Sequence, residues 1–337
     1  MPIEISPFEP SSASDLDFTE HYAVMRSVMG LDHPDQPLPT IEEYVKLLCE
    51  PATATGPISR WVVRDDGRIV GTASAKYPMH ENRHVTVARV TVSPARRCQG
   101  IGAAALRAIL PDLGADRTVV VANGVKGDAS GEKWARGLGF VRTQAKVRQM
   151  LALAEVDPVL WQRPVPEGFQ LESWIGAAPE ELLEEYARAR TAILDAPQGD
   201  STLEMADWTS ERVRKHEEDL RSRGIQNRVT VAIEQSSSRI AGITELELLP
   251  SQPSQAMQRD TAVAADFRGL GLGLAIKGAM LRWLTADRPA IAEVFTHTAH
   301  DNISMIRINH ALGYITTAVV AELRIALAEL ARRLESR

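Results

Sequence analysis

The chain has 337 residues, of which 44% are hydrophobic and 24% are charged, as in ordinary soluble globular proteins. At roughly 150 residues per domain, this length predicts two domains rather than one. The formal net charge is −6, without a long run of one sign, so nucleic acid is not an expected partner, because proteins that bind it carry a basic face.

In the first half of the chain, hydrophobic periodicity predicts two helices, a hairpin and a third strand, followed by alternating helices and strands. The polar turn Asp65-Asp66-Gly67 closes the hairpin. The predicted elements are helix 18–29, helix 40–48, strand 60–64, strand 68–76, strand 85–92, a helix from Ala103, strand 118–122, helix 132–137 and strand 140–147.

A segment with three prolines, Pro158, Pro164 and Pro166, predicts a linker over 155–168. This places an N-terminal domain at 1–154 and a C-terminal domain at 169–337. The second half repeats the order of the first: helix 179–193, helix 209–222, strand 228–234, strand 239–248, strand 261–264, a helix to 284, strand 291–298, helix 302–312, a strand from Tyr314 and a helix from Leu327. The predicted fold class is α/β, with a mixed α+β sheet and helices on its faces in each half.

Two glycine loops stand at the same place in the two halves. Arg97-Cys98-Gln99-Gly100-Ile101-Gly102 and Arg268-Gly269-Leu270-Gly271-Leu272-Gly273 share the pattern Arg-x-x-Gly-x-Gly, and their arginines lie 171 positions apart. Each loop follows a predicted strand and precedes a predicted helix. Such a turn presents free backbone N–H groups at the positive end of the helix dipole. The pattern therefore predicts two phosphate or pyrophosphate sites in a duplicated domain.

A dinucleotide-binding Rossmann motif is the alternative for these loops, since Gly100 to Ala105 fits Gly-x-Gly-x-x-Ala. That motif needs an acidic residue about 20 positions later, at the end of the next strand. The strand 119–122 ends in Asn123-Gly124, and the second copy has Ile276 where a small residue belongs. The Rossmann interpretation is therefore not favoured.

Only two cysteines, Cys49 and Cys98, occur in the chain, which argues against a disulfide scaffold and for a reducing compartment. The residues from Met1 to Ile5 carry no basic region followed by an apolar core, so no signal peptide is expected. No apolar stretch approaches the roughly 20 residues that span a bilayer. We therefore expect a cytoplasmic protein without a membrane partner.

The order strand, Arg-x-x-Gly-x-Gly, helix, strand, helix, Leu-Gly-aromatic resembles the GNAT acyltransferases, which use acetyl-CoA. The closing element is Leu138-Gly139-Phe140 in one half and Leu312-Gly313-Tyr314 in the other. The resemblance covers the whole chain in tandem, as in actinobacterial double-GNAT proteins. It implies two tandem GNAT domains that bind coenzyme A.

The resemblance also implies which residues contact the cofactor. In the family, loop N–H groups hold the pyrophosphate, and the strand before the loop binds the pantetheine arm through its backbone. An Asn at the start of the next-to-last helix often contacts the cofactor as well. The implied cofactor contacts here are Val92, Arg97, Gly100 and Gly102 in the first half, and Val263, Arg268, Gly269, Gly271, Gly273 and Asn302 in the second.

Catalysis needs a neutral amine, and therefore a general base. Asp260 enters the strand before the second loop, and Glu245 lies on the neighbouring predicted strand. The family often protonates the leaving thiolate with a Tyr, but the corresponding positions here are Ala135 and Asn309. Asn309 is nevertheless predicted to contact the sulfur or the cofactor. The first half offers Arg89 and no acid on its matching strand, which favours chemistry in the second half.

These residues together predict an acetyl-CoA-dependent N-acetyltransferase that acts by direct transfer to the primary amine of a small molecule. The catalytic residues would be Asp260, Glu245 and Asn309, without a metal. Transfer of another acyl group, use of the first site, and a non-catalytic coenzyme A-binding role are the alternatives. Monomer and homodimer both stay open.

Overall fold

A computed structural model describes residues 3–34, 36, 38–49, 56–114, 116–195, 197, 199–201, 203–204 and 207–336. The strands are β1 (Glu4–Pro7), β2 (Ile58–Asp65), β3 (Arg68–Lys76), β4 (Val85–Val92), β5 (Val119–Lys126), β6 (Val141–Ala152), β7 (Phe169–Ile175), β8 (Gln226–Glu234), β9 (Ile240–Leu248), β10 (Gln255–Val263), β11 (Glu293–Ala299) and β12 (Ile315–Ala326). The α-helices are α1 (Asp15–Asp32), α2 (Ile41–Cys49), α3 (Ile101–Ile109), α4 (Ser130–Gly137), α5 (Leu183–Thr191), α6 (Ser210–Ser222), α7 (Leu272–Asp287), α8 (Ile303–Ala311) and α9 (Leu327–Glu335).

The predicted fold class is confirmed, because helices and strands follow in the predicted order in each half of the chain and the strands form mixed sheets. One correction is needed in each half, since a strand, β1 or β7, precedes the first helix. β1 contains only four residues and ends at Pro7, so it offers little periodicity to detect. β10 is also longer than predicted, because it begins at Gln255 rather than at Thr261.

The chain divides into two compact units. Unit 1 contains Met1–Ala145, Gly199–Glu204 and Val319–Arg337, and unit 2 contains Lys146–Gln198 and Met205–Ala318. The sheet of unit 1 has the strand order β1-β2-β3-β4-β5-β12, and that of unit 2 has the order β6-β11-β10-β9-β8-β7. Most of β12 therefore belongs to unit 1, and the second half of β6 belongs to unit 2.

Backbone hydrogen bonds show that the last strand of each half of the chain joins the sheet of the other unit. We call this the exchange of last strands. In unit 2, β6 pairs antiparallel with β11 from Lys146↔Ala299 to Ala152↔Glu293. In unit 1, β12 pairs antiparallel with β5 from Val320↔Lys126 to Ala326↔Val119. The sequence boundary at 155–168 separates the two repeats, but the compact units differ from 1–154 and 169–337 by the exchanged strands. The division into two domains at that boundary stays a prediction.

The hydrophobic core of each unit includes residues of the exchanged strand. The largest core of unit 1 packs Trp61, Leu106 and Phe140 against Leu323 of β12 and Leu330 of α9. A core of unit 2 packs Met280 and Val294 against residues before, within and after the predicted linker: Leu151, Trp161, Leu312 and Tyr314. Each unit therefore buries apolar side chains from both halves of the sequence.

The predicted linker 155–168 packs into unit 2. Trp161 is only 2% exposed, and its indole N–H donates a hydrogen bond of 3.0 Å to the carbonyl oxygen of Leu312. Gly278 on α7 permits this approach, because a Cβ there would lie 2.6 Å from the carbonyl oxygen of Trp161. Among the described residues, no helix is both long and apolar enough to cross a membrane.

Helix α7 buries a lysine in unit 2. Lys277 is 1% exposed, and its ammonium nitrogen lies 5.3 Å from the centroid of the Tyr314 ring. Burial lowers the pKa of Lys277 to about 7. Leu106 of α3 follows Gly100 by the same number of residues as Lys277 follows Gly271, and it is buried. An apolar side chain therefore fits this position of the repeat.

We predict that Lys277→Leu removes a pH dependence of stability. Its pKa is about 7 in the folded chain and near the ordinary 10.5 when unfolded, so between these pH values the unfolded state binds more protons. The free energy of unfolding should therefore rise with pH in this window, with a slope of at most about 1.4 kcal/mol per pH unit. Urea unfolding from pH 7 to 10 measures the slope.

The control is Lys215→Leu, which removes the same charge from an exposed position of α6. It should keep the pH dependence of the wild type. If the slope in Lys277→Leu equals that of the wild type, burial does not shift the pKa of this ammonium group.

Candidate functional site

Both glycine loops turn a strand into the first turn of a helix. Gly100 precedes α3 with φ 77°, and Gly271 precedes α7 with φ 86°, a conformation that glycine adopts without strain. Gly269 has φ 81°, while Cys98 adopts φ 62° at the equivalent place. Backbone N–H groups of 98–102 and 269–273 form no hydrogen bond within the described part of the chain, so both loops present donors to an anion.

The arginine at the start of each loop braces the loop through its side chain. Arg97 Nε donates to the carbonyl oxygen of Val92 at 3.3 Å, and the guanidinium pairs with Asp32 at 2.6 Å. Arg268 Nε donates to the carbonyl oxygen of Val263 at 3.1 Å, and the guanidinium pairs with Asp195 at 2.6 Å. The backbone of each loop thus remains for a ligand, while the arginine side chains hold the turn. Sequence patterns did not identify the two aspartates.

Gly102 and Gly273 lie in the first turns of α3 and α7. A Cβ at Gly102 would lie 3.0 Å from the ring of Trp134, and one at Gly273 would lie 3.1 Å from Cδ1 of Ile308. Each glycine therefore lets its helix approach the helix that follows, α4 or α8. Among the described residues, no atom lies within 4 Å of the position that a Cβ would take at Gly269 or Gly271.

The strand before each loop separates from its parallel neighbour. In unit 2, β10 pairs with β11 only over Gln255–Met257 and Glu293–Phe295, although β10 continues to Val263 and β11 to Ala299. In unit 1, β4 pairs with β5 only over Val85–Val87 and Val119–Val121. Beyond these pairs the sheet opens, and backbone groups of the loop-preceding strand face the opening. Val92 and Val263 lie at its end, directly before the loops.

Asp260 lies in a β-bulge that unit 2 has and the matching strands of unit 1 lack. Gln258 pairs with Leu246 and Thr261 pairs with Thr244, so Arg259 and Asp260 together face Glu245. The corresponding ladder of β3 and β4 runs from Gly71↔Val92 to Lys76↔Val87 without a shift. Bulges re-aim side chains and are frequent next to active sites. Asp260 lies at the place that Arg89 takes in unit 1.

Glu245 is buried in a polar cluster beneath α5. Its carboxylate pairs with Arg190 at 3.0 Å and accepts a hydrogen bond from the hydroxyl of Tyr186. The Arg190 guanidinium carbon lies 3.4 Å from the ring centroid of Trp208. Burial raises the pKa of Glu245, while Arg190 lowers it. These contacts favour a role in holding α5 to β9, and the catalytic role of Glu245 stays a prediction.

Asn309 and Asn302 occupy the two ends of α8. Asn302 is the N-cap, and its Oδ1 accepts a hydrogen bond of 3.1 Å from the N–H of Met305. Asn309 is fully buried, and its Nδ2 donates to Oε1 of Gln149 at 2.8 Å and to Thr298 at 3.4 Å. Oδ1 of Asn309 has no hydrogen-bond partner among the described residues. Neither side chain is brought together with Asp260 by a described contact, so both roles stay predictions.

A cavity of about 590 Å³ opens beside the end of β10 in unit 2. Its lining includes Glu184, Arg188, Asp195, Asp207, Trp208 and Ala264. Glu184 pairs with Arg188 and Asp195 pairs with Arg268, so the lining contains charges of both signs. The described residues contain no group of three or more His, Cys, Asp or Glu side chains that could hold a metal ion.

Comparison with known proteins identifies the fold and the family. Residues 24–140 match the acetyltransferase (GNAT) family. The structure is similar to a tandem GNAT protein from the clavulanic acid biosynthesis pathway, with a TM-score of 0.78 and 25% identity over 97% of this chain and 99% of that chain. The chain has a tandem GNAT fold. The predicted resemblance is thereby confirmed, and the GNAT family uses acetyl-CoA.

Two curated relatives of this tandem GNAT protein are mycothiol acetyltransferases. The one from Nocardia farcinica is 33% identical over 162 residues, which are 48% of this chain and 50% of the relative. The one from Clavibacter michiganensis subsp. michiganensis is 30% identical over 169 residues, which are 49% of this chain and 53% of the relative. The chain thus spans about half the length of the curated relatives it matches.

We predict that Arg190→Met destabilises the protein, because it leaves the buried carboxylate of Glu245 without its cation. Breaking a buried ion pair costs about 3–5 kcal/mol, whereas the double variant Arg190→Met, Glu245→Leu should recover most of that loss. Urea unfolding at pH 7 measures both effects.

Arg188→Met, two positions away on α5, is the control, since its partners Glu184 and Glu185 are at the surface and exposed pairs contribute about 0–1 kcal/mol. Equal losses in Arg190→Met and Arg188→Met would contradict the structural role of the buried pair.

Proposed function

We propose that the protein is an acetyl-CoA-dependent N-acetyltransferase that acts on the primary amine of a small molecule, with the chemistry in unit 2. The observation that carries this proposal is the bulge of β10, which places Asp260 beside the opening between β10 and β11. Unit 1 has a regular strand and Arg89 at the equivalent place. A cytoplasmic location belongs to the same proposal.

The residues of unit 2 fit coenzyme A. N–H groups of the loop 269–273 are without partners among the described residues. They lie at the N-terminal end of α7, where the helix dipole favours pyrophosphate. The backbone of β10 up to Val263 would hold the pantetheine arm along the opening. Arg268 supports the loop from behind through Val263 and Asp195. When bound, acetyl-CoA supplies an acetyl thioester that an amine can attack.

Asp260 is the proposed proton acceptor. A primary amine in water at pH 7 is mostly an ammonium ion, and it must lose a proton before it can attack the thioester. The Asp260 carboxylate, directly or through one water, would take that proton at the opening of the sheet. In the cavity beside Ala264, Asp207 would favour an ammonium group over a neutral one, since Glu184 pairs with Arg188 and Asp195 pairs with Arg268.

Asn309 would form hydrogen bonds from a fixed orientation and would not transfer a proton. Its amide group is bound on the Nδ2 side by Gln149 and Thr298, so the side chain has a fixed orientation. An amide donates and accepts hydrogen bonds but does not titrate. The proton that leaves with the thiol would therefore come from water or from another side chain of unit 2.

A second candidate function concerns unit 1, which keeps the loop geometry and lacks the acid. The turn at Gly100, the brace of Arg97 on Asp32 and the opening beyond Val87 repeat the features of unit 2. This combination favours coenzyme A binding without turnover in unit 1.

Two measurements test the proposed function. Full-length protein is titrated with acetyl-CoA by calorimetry, and release of free thiol is followed with a broad panel of primary amines. Thiol release that depends on one amine and falls at least about tenfold in Asp260→Asn supports the proposal. Absence of both acetyl-CoA binding and thiol release would overturn it, and binding without release would favour the non-catalytic alternative.

We predict that Gly273→Val lowers turnover by at least about tenfold, which is about 1.4 kcal/mol of activation free energy. The new side chain would stand at the first turn of α7, next to the proposed pyrophosphate donors. Gly102→Val is the matched change in unit 1, since Cβ atoms at the two glycines meet neighbours at 3.1 Å and 3.0 Å.

Thiol release under saturating amine measures the effect, and thermal unfolding shows whether each variant is folded. Turnover should survive Gly102→Val. A larger loss of turnover in Gly102→Val than in Gly273→Val would place the chemistry in unit 1.

A further inference from the structure

Two arginines of unit 1 share one cross-strand row. Arg60 on β2 pairs with Ser74 on β3, and Ser74 pairs with Arg89 on β4. Directly paired residues of antiparallel strands project from the same face of a sheet. The two long side chains therefore stand on one face with only the small hydroxymethyl group of Ser74 between them.

Arg89 reaches into the opening between β4 and β5. Pairing of these strands ends at Val87↔Val121, two residues before Arg89. A terminal nitrogen of its guanidinium lies 3.7 Å from the place that a Cβ of Gly124 on β5 would take. The positive charge thus lies where the sheet of unit 1 has separated.

Neither Arg60 nor Arg89 forms an ion pair with another described residue, whereas their neighbours in sequence Arg64, Arg83, Arg96 and Arg97 all do. Two like charges in one row repel each other and destabilise a sheet unless an anion lies between them. The pair therefore has unused capacity to bind an anion.

A tyrosine and a histidine cover the row from the helices. The hydroxyl of Tyr44 on α2 and Nδ1 of His21 on α1 share a buried hydrogen bond of 2.8 Å. Burial and, to a smaller extent, the charge of Arg60 lower the pKa of His21 to about 4. His21 is thus neutral at pH 7, so this wall adds polarity and shape but no negative charge to balance the arginines.

We propose that the opening of unit 1 is a binding site for a small organic carboxylate, held by Arg60 and Arg89. Guanidinium groups bind carboxylates through two parallel N–H···O bonds, which makes such pairs both strong and directional. At the equivalent place unit 2 has Asp260, which repels the same ligand. The two openings therefore select ligands of opposite charge, a carboxylate in unit 1 and an ammonium group in unit 2.

This site is independent of the proposed acetyl transfer, because none of its residues belongs to unit 2. The protein would bind a carboxylate at unit 1 whether or not unit 2 transfers an acyl group. The failure of one proposal is therefore distinguishable from the failure of the other.

Calorimetry of the full-length protein in low-salt buffer tests the site. The probes are succinate, glutarate, citrate, L-glutamate and inorganic phosphate, each titrated separately without acetyl-CoA. We expect at least one carboxylate to bind with a dissociation constant of about 1 mM or tighter. Arg89→Met and Arg60→Met should each weaken that binding by at least about tenfold, because each removes a charge-assisted pair.

Arg83→Met and Asp260→Asn are the controls, since Arg83 is an exposed arginine of unit 1 paired with Asp116 and Asp260 lies in unit 2. Both should bind the carboxylate as the wild type does. Arg89→Lys keeps the charge but loses the paired donors, so it should show intermediate affinity. Thermal unfolding should show no loss of stability in Arg89→Met, because the change relieves repulsion from Arg60.

Several results would overturn the assignment. They are the absence of carboxylate binding to the wild type, unchanged binding in Arg60→Met and Arg89→Met, and binding of phosphate that is as tight as that of any carboxylate and equally sensitive to both arginines. Loss of binding in Arg83→Met to the same extent would likewise show a nonspecific charge effect.

Discussion

The backbone ladders of the last strands are the constraint on which both units depend. β12 completes the sheet of unit 1 by pairing with β5, and β6 completes the sheet of unit 2 by pairing with β11. Without these strands, β5 and β11 would each present a row of unpaired N–H and C=O groups. The same segments supply Leu323 and Leu151 to the cores. A chain cut at 155–168 would therefore leave both sheets incomplete.

The two units contain the same strand-to-helix turn, but the residues around the turn differ. Each turn has a left-handed glycine, N–H groups without a partner among the described residues, and an arginine held by an aspartate, Asp32 or Asp195. The difference lies one strand away, where β10 carries a bulge with Asp260 and β4 is regular with Arg89. Duplication thus preserves the anion-binding geometry, while single side chains in the openings set the charge of the second ligand.

The sequence predicts most of this architecture because periodicity and glycine spacing are local signals. The β4 boundaries 85–92 agree with the structure, and the helix predicted from Ala103 begins at Ile101. Strand partners are not local, so the exchange of β6 and β12 was not predictable from one sequence. Neither was the bulge at Asp260, since the predicted strand 261–264 begins after it. Spacing alone predicts Glu245 as a catalytic carboxylate, and only packing shows its burial against Arg190.

The exchange of last strands also governs when the protein can finish folding. The partners Val119 and Ala326 are separated by about two hundred positions, and such long-range pairing is slow to form. During synthesis, the N-terminal half emerges first but cannot close its sheet at β5 until almost the whole chain has left the ribosome. Its open edge is then a site for wrong pairing with other nascent chains. Expression yield should therefore depend on chaperones and on synthesis rate more strongly than in a GNAT protein that completes each sheet in sequence order.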